Sequence, residues 1–192
     1  MSGPSPPVSP TRREAILAAA LRLFRQRGFH TVGIDEIGTS AGISGPGVYR
    51  HFPSKTSLLV ALLDGLTERM LDGAGEIQKQ DLPPEAMLDR LVGFHVAAAV
   101  ADPAVLAVWA QDAPSLPPAD RARFGDRQAE YVGVWAATLA KVRPGLGPDE
   151  TQTVVHAALG AVNSVAGHDT GLAAERLEAL LGGAARAVLA GA

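Results

Sequence analysis

Apolar residues recur every three or four positions along most of this chain, and nowhere do they alternate with the period of two that a strand requires. That periodicity restricts the fold to helices packed on helices, and the punctuation between stripes says where each helix ends. Ile16, Ala20, Leu23 and Phe24 form the first stripe. Thr11 opens it with Glu14 three residues on, the spacing of a capping box, and Arg25, Arg27 and Gly28 close it. A helix over Arg12–Arg27 is expected. Two short helices follow, one over 34–41 ended by Gly42, the other capped by Ser44, with Pro46 in its first turn, and running to about His51. Phe52-Pro53 breaks the chain, and Ser54 caps a long helix whose stripe is Leu58, Leu59, Leu62, Leu63, Leu66, Met70 and Ile77.

Proline and capping residues divide the remainder. Helices are expected from Pro84 to about Ala101, from an Asp102 N-cap and Pro103 to about Gln111, and from Pro118 to Val142. Another starts at Pro148 and stops before Gly167–Gly171, and the last fills about 172–190. The expectation is an all-α chain of about nine helices. Hydrophobic residues make up 47% against 19% charged, enough to bury a core, which excludes a disordered tail. The absence of cysteine removes disulfide scaffolds, thiolate metal sites and cysteine nucleophiles. Residues 1–10, MSGPSPPVSP, are proline- and serine-rich without an apolar stretch, so they read as a disordered arm and not a secretory signal. No apolar run approaches the roughly 20 residues that cross a bilayer. A cytoplasmic protein with no membrane partner is expected.

The net charge of −3 argues against nucleic acid until the chain is divided. Residues 1–60 hold seven Lys/Arg against three Asp/Glu, a balance of +4, while residues 61–192 hold ten against seventeen, a balance of −7. A basic end on an acidic remainder is the asymmetry expected when only that end meets phosphate. That end also holds the two short helices joined by a glycine-containing turn, the pattern of a helix-turn-helix. In that motif the second helix enters the major groove and its N-terminal side chains reach base edges. Ser44, Gly45, Pro46, Tyr49, Arg50 and His51 are therefore the candidate DNA contacts, and Lys55, at the start of the long helix, is a candidate phosphate contact.

Ala15–Leu17, Leu23–Phe24, Gly28–Phe29, Ile37, Ala41–Ser44, Gly45 and Val48–Lys55 stand together at one spacing, without gaps. This stretch resembles the DNA-binding domain of the TetR/AcrR family of transcriptional regulators. The resemblance covers about residues 12–60. It implies that Ser44, Gly45, Pro46, Tyr49 and His51 face double-stranded DNA, with Lys55 on a phosphate. Two departures stand out: Val32-Gly33 where many members have threonine, and Pro46 where threonine is frequent. Both remove side-chain hydrogen bonds, so backbone contacts are expected to carry more of the affinity. Phe52 reads better as core, and Arg50 serves equally well to solvate its face.

No catalytic template survives inspection. Gly42-Ile43-Ser44-Gly45-Pro46 fails as a nucleophile elbow because its fifth residue is proline and no strand precedes it. His30, His51, His95, His156 and His168 contain no HExxH pair. The chain is expected not to be an enzyme and to need no cofactor or metal.

Three parts are expected: an arm over 1–10, a helix-turn-helix domain over 11–54, and a helical ligand-binding and dimerisation domain over 55–192. Within the last, Phe94, His95, Trp109, Tyr131, Trp135, His156 and Asn163 combine apolar bulk, together with Met87, with a few polar handles, the chemistry of a pocket for a hydrophobic small molecule. The resemblance favours such a pocket over a solid core, and acyl chains, including coenzyme A thioesters, or other lipophilic metabolites are the candidate effectors. Leu177, Leu180, Leu181, Ala184 and Val188 form a stripe on the last helix, beside a helix rich in small residues, which suits a four-helix homodimer interface. A homodimer would address a pseudo-palindromic operator. The functional expectation is a sequence-specific regulator, a repressor released by its effector. The alternative is a helical carrier or sensor that does not bind DNA.

Overall fold

The computed structural model describes residues 11–167 and 169–191, so the arm expected over 1–10 lies outside the described residues. Nine α-helices and no strand are present among them: α1 (Arg12–Arg27), α2 (Ile34–Ser40), α3 (Gly45–Tyr49), α4 (Lys55–Gln78), α5 (Pro84–Ala101), α6 (Pro103–Asp112), α7 (Pro118–Val142), α8 (Pro148–Asn163) and α9 (Ala174–Ala190). Short 3-10 turns occupy Phe29–Thr31, Ala113–Ser115 and Ser164–Gly167.

The capping signals act as their chemistry dictates. Thr11 Oγ1 accepts from Glu14 N at 3.2 Å, while Glu14 Oε2 accepts from Thr11 N at 2.7 Å. Ser44 Oγ accepts from Gly47 N at 3.3 Å, and Ser54 Oγ from Ser57 N at 3.0 Å. Asp102 departs from expectation. At φ −142° and ψ 66° it forms the corner where α5 and α6 meet at 87°, and its carboxylate caps nothing. α3 also stops at Tyr49, short of His51. His51 N and Phe52 N both fold back on Val48 O, at 2.9 and 3.0 Å, because Pro53 disfavours a further helical residue before it.

The core is divided in two. One part gathers Ile16, Phe24, Ile37, Val48, Phe52 and Leu58–Leu63, and draws in Val108 of α6, Leu116, and Phe124 of α7. The other gathers Met70 and Ile77 of the same α4 with α5, Leu106 of α6 and α7–α9 around Trp135. The core therefore does not divide at residue 54. α4 runs through both parts, and α6 supplies a residue to each.

Candidate functional site

The turn between α2 and α3 is closed tightly at two glycines, Gly38 against backbone and Gly45 against the exposed Asp35 carboxylate. A Cβ on Gly38 would stand 3.0 Å from Ile43 O and Gly45 N, and one on Gly45 would stand 1.8 Å from Asp35 Oδ1. Gly42, at φ +70°, supplies the left-handed residue that reverses the chain. The clamp turns Tyr49 outward, 54% exposed, with Ser44, Pro46, Arg50 and His51 also exposed. Gly45 itself is buried against α2. Its bare Cα lets α3 pack against α2 beside the exposed Ser44 and Pro46. Phe52 is buried, with the Arg13 guanidinium 4.9 Å from its ring centroid.

Lys55 has partners within the chain. Its ammonium donates to the carbonyls of Phe29, Val32 and His30 at 2.8, 2.9 and 3.3 Å, and lies 4.6 Å from the Phe29 ring centroid. The 3-10 turn leaves these carbonyls without helical partners, and the cation satisfies them. In the free chain its charge is therefore directed onto this turn. The same turn is held from the end of α6 and the 3-10 turn that follows it. Asp112 Oδ1 accepts from Phe29 N at 3.3 Å, and His30 Nε2 lies 2.8 Å from Ser115 Oγ. Burial pushes the Asp112 carboxyl up, opposed by the Phe29 N–H bond and by the charges of His30 and Lys55. Its second oxygen is buried without a hydrogen-bond partner. Sequence reasoning missed this joint, because no local pattern shows that residue 112 meets residue 29.

A cavity of about 90 Å³ lies where the two cores meet. α4 contributes Leu66, Thr67 and Met70 to its wall, α6 contributes Leu106 and Trp109, and α7 contributes Phe124, Gln128 and Tyr131. His95 of α5 and Asn163 of α8 complete its polar side. His95 Nδ1 lies 3.0 Å from the Tyr131 hydroxyl and its Nε2 3.0 Å from Asn163 Oδ1. With Asn163 Oδ1 as acceptor, Nε2 carries the ring proton and the Tyr131 O–H donates to Nδ1. Burial pushes the imidazole pKa down to about 4, against a weaker upward pull from Asn163, so the ring is neutral at pH 7. Burial likewise pushes the Tyr131 phenol up.

Of the seven residues expected to bind a ligand, His95, Trp109, Tyr131 and Asn163 line this cavity. The other three do not. Trp135 is fully buried, its ring edge-on to His95 with centroids 5.8 Å apart. Phe94 packs where a Cβ on Gly73 of α4 would stand 2.0 Å from its Cζ. His156 is exposed on α8. Met87 faces Thr138, whose Oγ1 lies 3.6 Å from its Sδ. Thr67, Gln128 and Phe124 were missed. Thr67 carried the one available signal, a polar residue inside the apolar stripe of α4.

The expected dimer stripe separates into two faces. Leu177, Leu181 and Val188 pack against the chain's own core. Leu180, 44% exposed, and Ala184 point outward. α8 presents His156, Ala157 and Gly160 to solvent. Among the described residues, no three His, Asp or Glu side chains gather as a metal site, and no single helix is long and apolar enough to cross a membrane.

Residues 16–62 match the bacterial regulatory proteins of the tetR family, and residues 83–190 match the tetracyclin repressor-like C-terminal domain. The HTH-type transcriptional activator FasR of Mycolicibacterium smegmatis is 42% identical over 62 residues, which are 32% of this chain and 28% of that protein. The chain thus spans less than a third of FasR. The HTH-type transcriptional repressor KstR2 of Rhodococcus jostii is 28% identical over 136 residues, 70% of this chain and 67% of that one. A TetR-family transcriptional regulator from Bordetella parapertussis superimposes with a TM-score of 0.86 at 17% identity, covering 94% of this chain and 95% of its own, which shows a shared fold.

Proposed function

Because the chain belongs to the tetR family of bacterial regulatory proteins, we propose that it is a sequence-specific DNA-binding repressor, active as a homodimer, that leaves its operator when a hydrophobic small molecule enters the cavity between its cores. One observation carries this reading. α6 places Trp109 in the cavity wall and, one turn later, Asp112 on the turn that precedes the helix-turn-helix. A ligand that displaces Trp109 therefore pulls on the segment holding α2 and α3. Such a ligand must bind the two arrangements unequally to shift DNA affinity.

Outward presentation of Ser44, Pro46, Tyr49, Arg50 and His51 supports the DNA-reading role. KstR2 is named a repressor and FasR an activator, so the choice of repression is the proposal's own. The test is operator binding by fluorescence anisotropy on the DNA flanking the gene, with and without lipophilic compounds. Saturable binding that falls steeply with salt, and is reversed by a compound that also quenches tryptophan fluorescence, is expected. Quenching with unchanged operator affinity would defeat the ligand-released reading, and failure to bind any flanking DNA would leave the carrier alternative.

A further inference from the structure

The cavity wall contains no lysine, arginine, aspartate or glutamate. Its polar groups are Thr67, His95, Gln128, Tyr131 and Asn163, all uncharged at pH 7. Two of them are already occupied within the chain. Thr67 Oγ1 donates to Leu63 O at 2.9 Å, and both ring nitrogens of His95 are engaged by Tyr131 and Asn163. What remains open is a lone pair on the Tyr131 oxygen, the N–H donors of the Asn163 amide and, toward the half-buried side of the wall, the Gln128 amide; of these, Tyr131 and Asn163 stand together on His95. An ionised carboxylate or ammonium placed here would exchange water for an apolar wall with no counter-charge, which strongly disfavours it. A hydroxyl can donate to the Tyr131 oxygen while accepting from Asn163, and a carbonyl can accept from Asn163.

From this arrangement we infer that the effector is a neutral lipophilic molecule whose one buried polar group is a hydroxyl, received by Tyr131 and Asn163, or a carbonyl oxygen, received by Asn163, and that carboxylates and amines of the same shape are rejected. The inference rests on the reading of this cavity as the effector site. It also narrows the acyl class: a free fatty acid does not fit, because its head group arrives charged.

The test compares 1-decanol, 2-decanone, decanoate and decylamine at pH 7.5, by quenching of Trp109 and Trp135 fluorescence and by calorimetry on the intact protein. The alcohol and ketone are expected to bind at least about tenfold more tightly than either ion. Partition alone would also favour the neutral pair, so Tyr131→Phe and Asn163→Leu provide the control. Asn163→Leu should weaken both the alcohol and the ketone severalfold, and Tyr131→Phe the alcohol, while decane is left unchanged by either. Tyr131→Phe removes only an oxygen, so it keeps the test open if Asn163→Leu does not fold. Equal or tighter binding of decanoate or decylamine overturns the inference, as does an alcohol affinity untouched by both substitutions. Binding of no probe overturns it too, together with the cavity's role as effector site. Tight alcohol binding that leaves the operator complex intact supports the ligand chemistry and defeats only the proposed release from DNA.

Discussion

Burial holds the imidazole of His95 at a pKa of about 4, against an ordinary 6.5, so between those values the unfolded chain binds a proton that the folded chain refuses. Stability is complete above about pH 6.5 and falls as the pH drops toward 4, by on the order of 3 kcal/mol in all. Urea denaturation at several pH values should show this loss, and His95→Gln should flatten it. An equal slope in parent and variant would assign the proton elsewhere. Lys55 and Tyr49 make a contrasting pair. Lys55→Met abandons three carbonyls and should cost about 1–3 kcal/mol in thermal stability. Tyr49→Ala removes an exposed ring, so stability should change by no more than about 0.5 kcal/mol while operator binding weakens. If Tyr49→Ala unfolds the protein, or Lys55→Met leaves its melting unchanged, these roles are misassigned. Sequence spacing alone placed Tyr49 on an outward face, because its neighbours are small or polar. It did not show the partners of Gly45 and Lys55, which stand ten and more than twenty residues earlier in the chain and become neighbours only when the turn folds.

Among the elements, those with chemical punctuation were legible and those governed by tertiary contacts were not. Thr11, Ser44, Ser54 and the prolines at 84, 103, 118 and 148 set their helix starts within one residue. α6 was legible as a helix, yet its role was hidden, since its sequence does not show that Leu106 and Val108 belong to different cores. Its end carries the sharpest expectation. Asp112→Ala leaves the buried Phe29 N–H without an acceptor and should destabilise the fold by about 1–3 kcal/mol. Asp112→Asn keeps an acceptor oxygen and removes a charge whose second oxygen has no partner, so it should cost less than the alanine. Chemical denaturation of both variants decides this, and equal losses would show that the carboxylate's charge and not its hydrogen bond holds the turn.

For the whole molecule, the separation of the α9 stripe into inward and outward faces dictates how a dimer is tested. Leu181→Glu would place a charge against the chain's own core, so its failure would say nothing about assembly. Leu180→Glu with Ala184→Glu alters outward positions only. Sedimentation should show monomers of undiminished helicity that no longer bind a two-half-site operator, whereas a persisting dimer would move the interface off α9. The cavity between the cores has its own consequence at this scale. Effector pockets commonly enclose about 300 Å³ or more, and this one holds about 90 Å³. On the proposed reading, an effector of ordinary size is received only by molecules in which the cavity has opened further, and the measured affinity is the intrinsic one reduced by their fraction. If release from DNA is coupled to that opening as proposed, sensitivity to effector and occupancy of DNA are set by one equilibrium: a sequence change that favours the open cavity raises the first as it lowers the second, without touching either ligand. A regulator built this way can have its response threshold retuned during evolution by the bulk of a single wall residue such as Trp109.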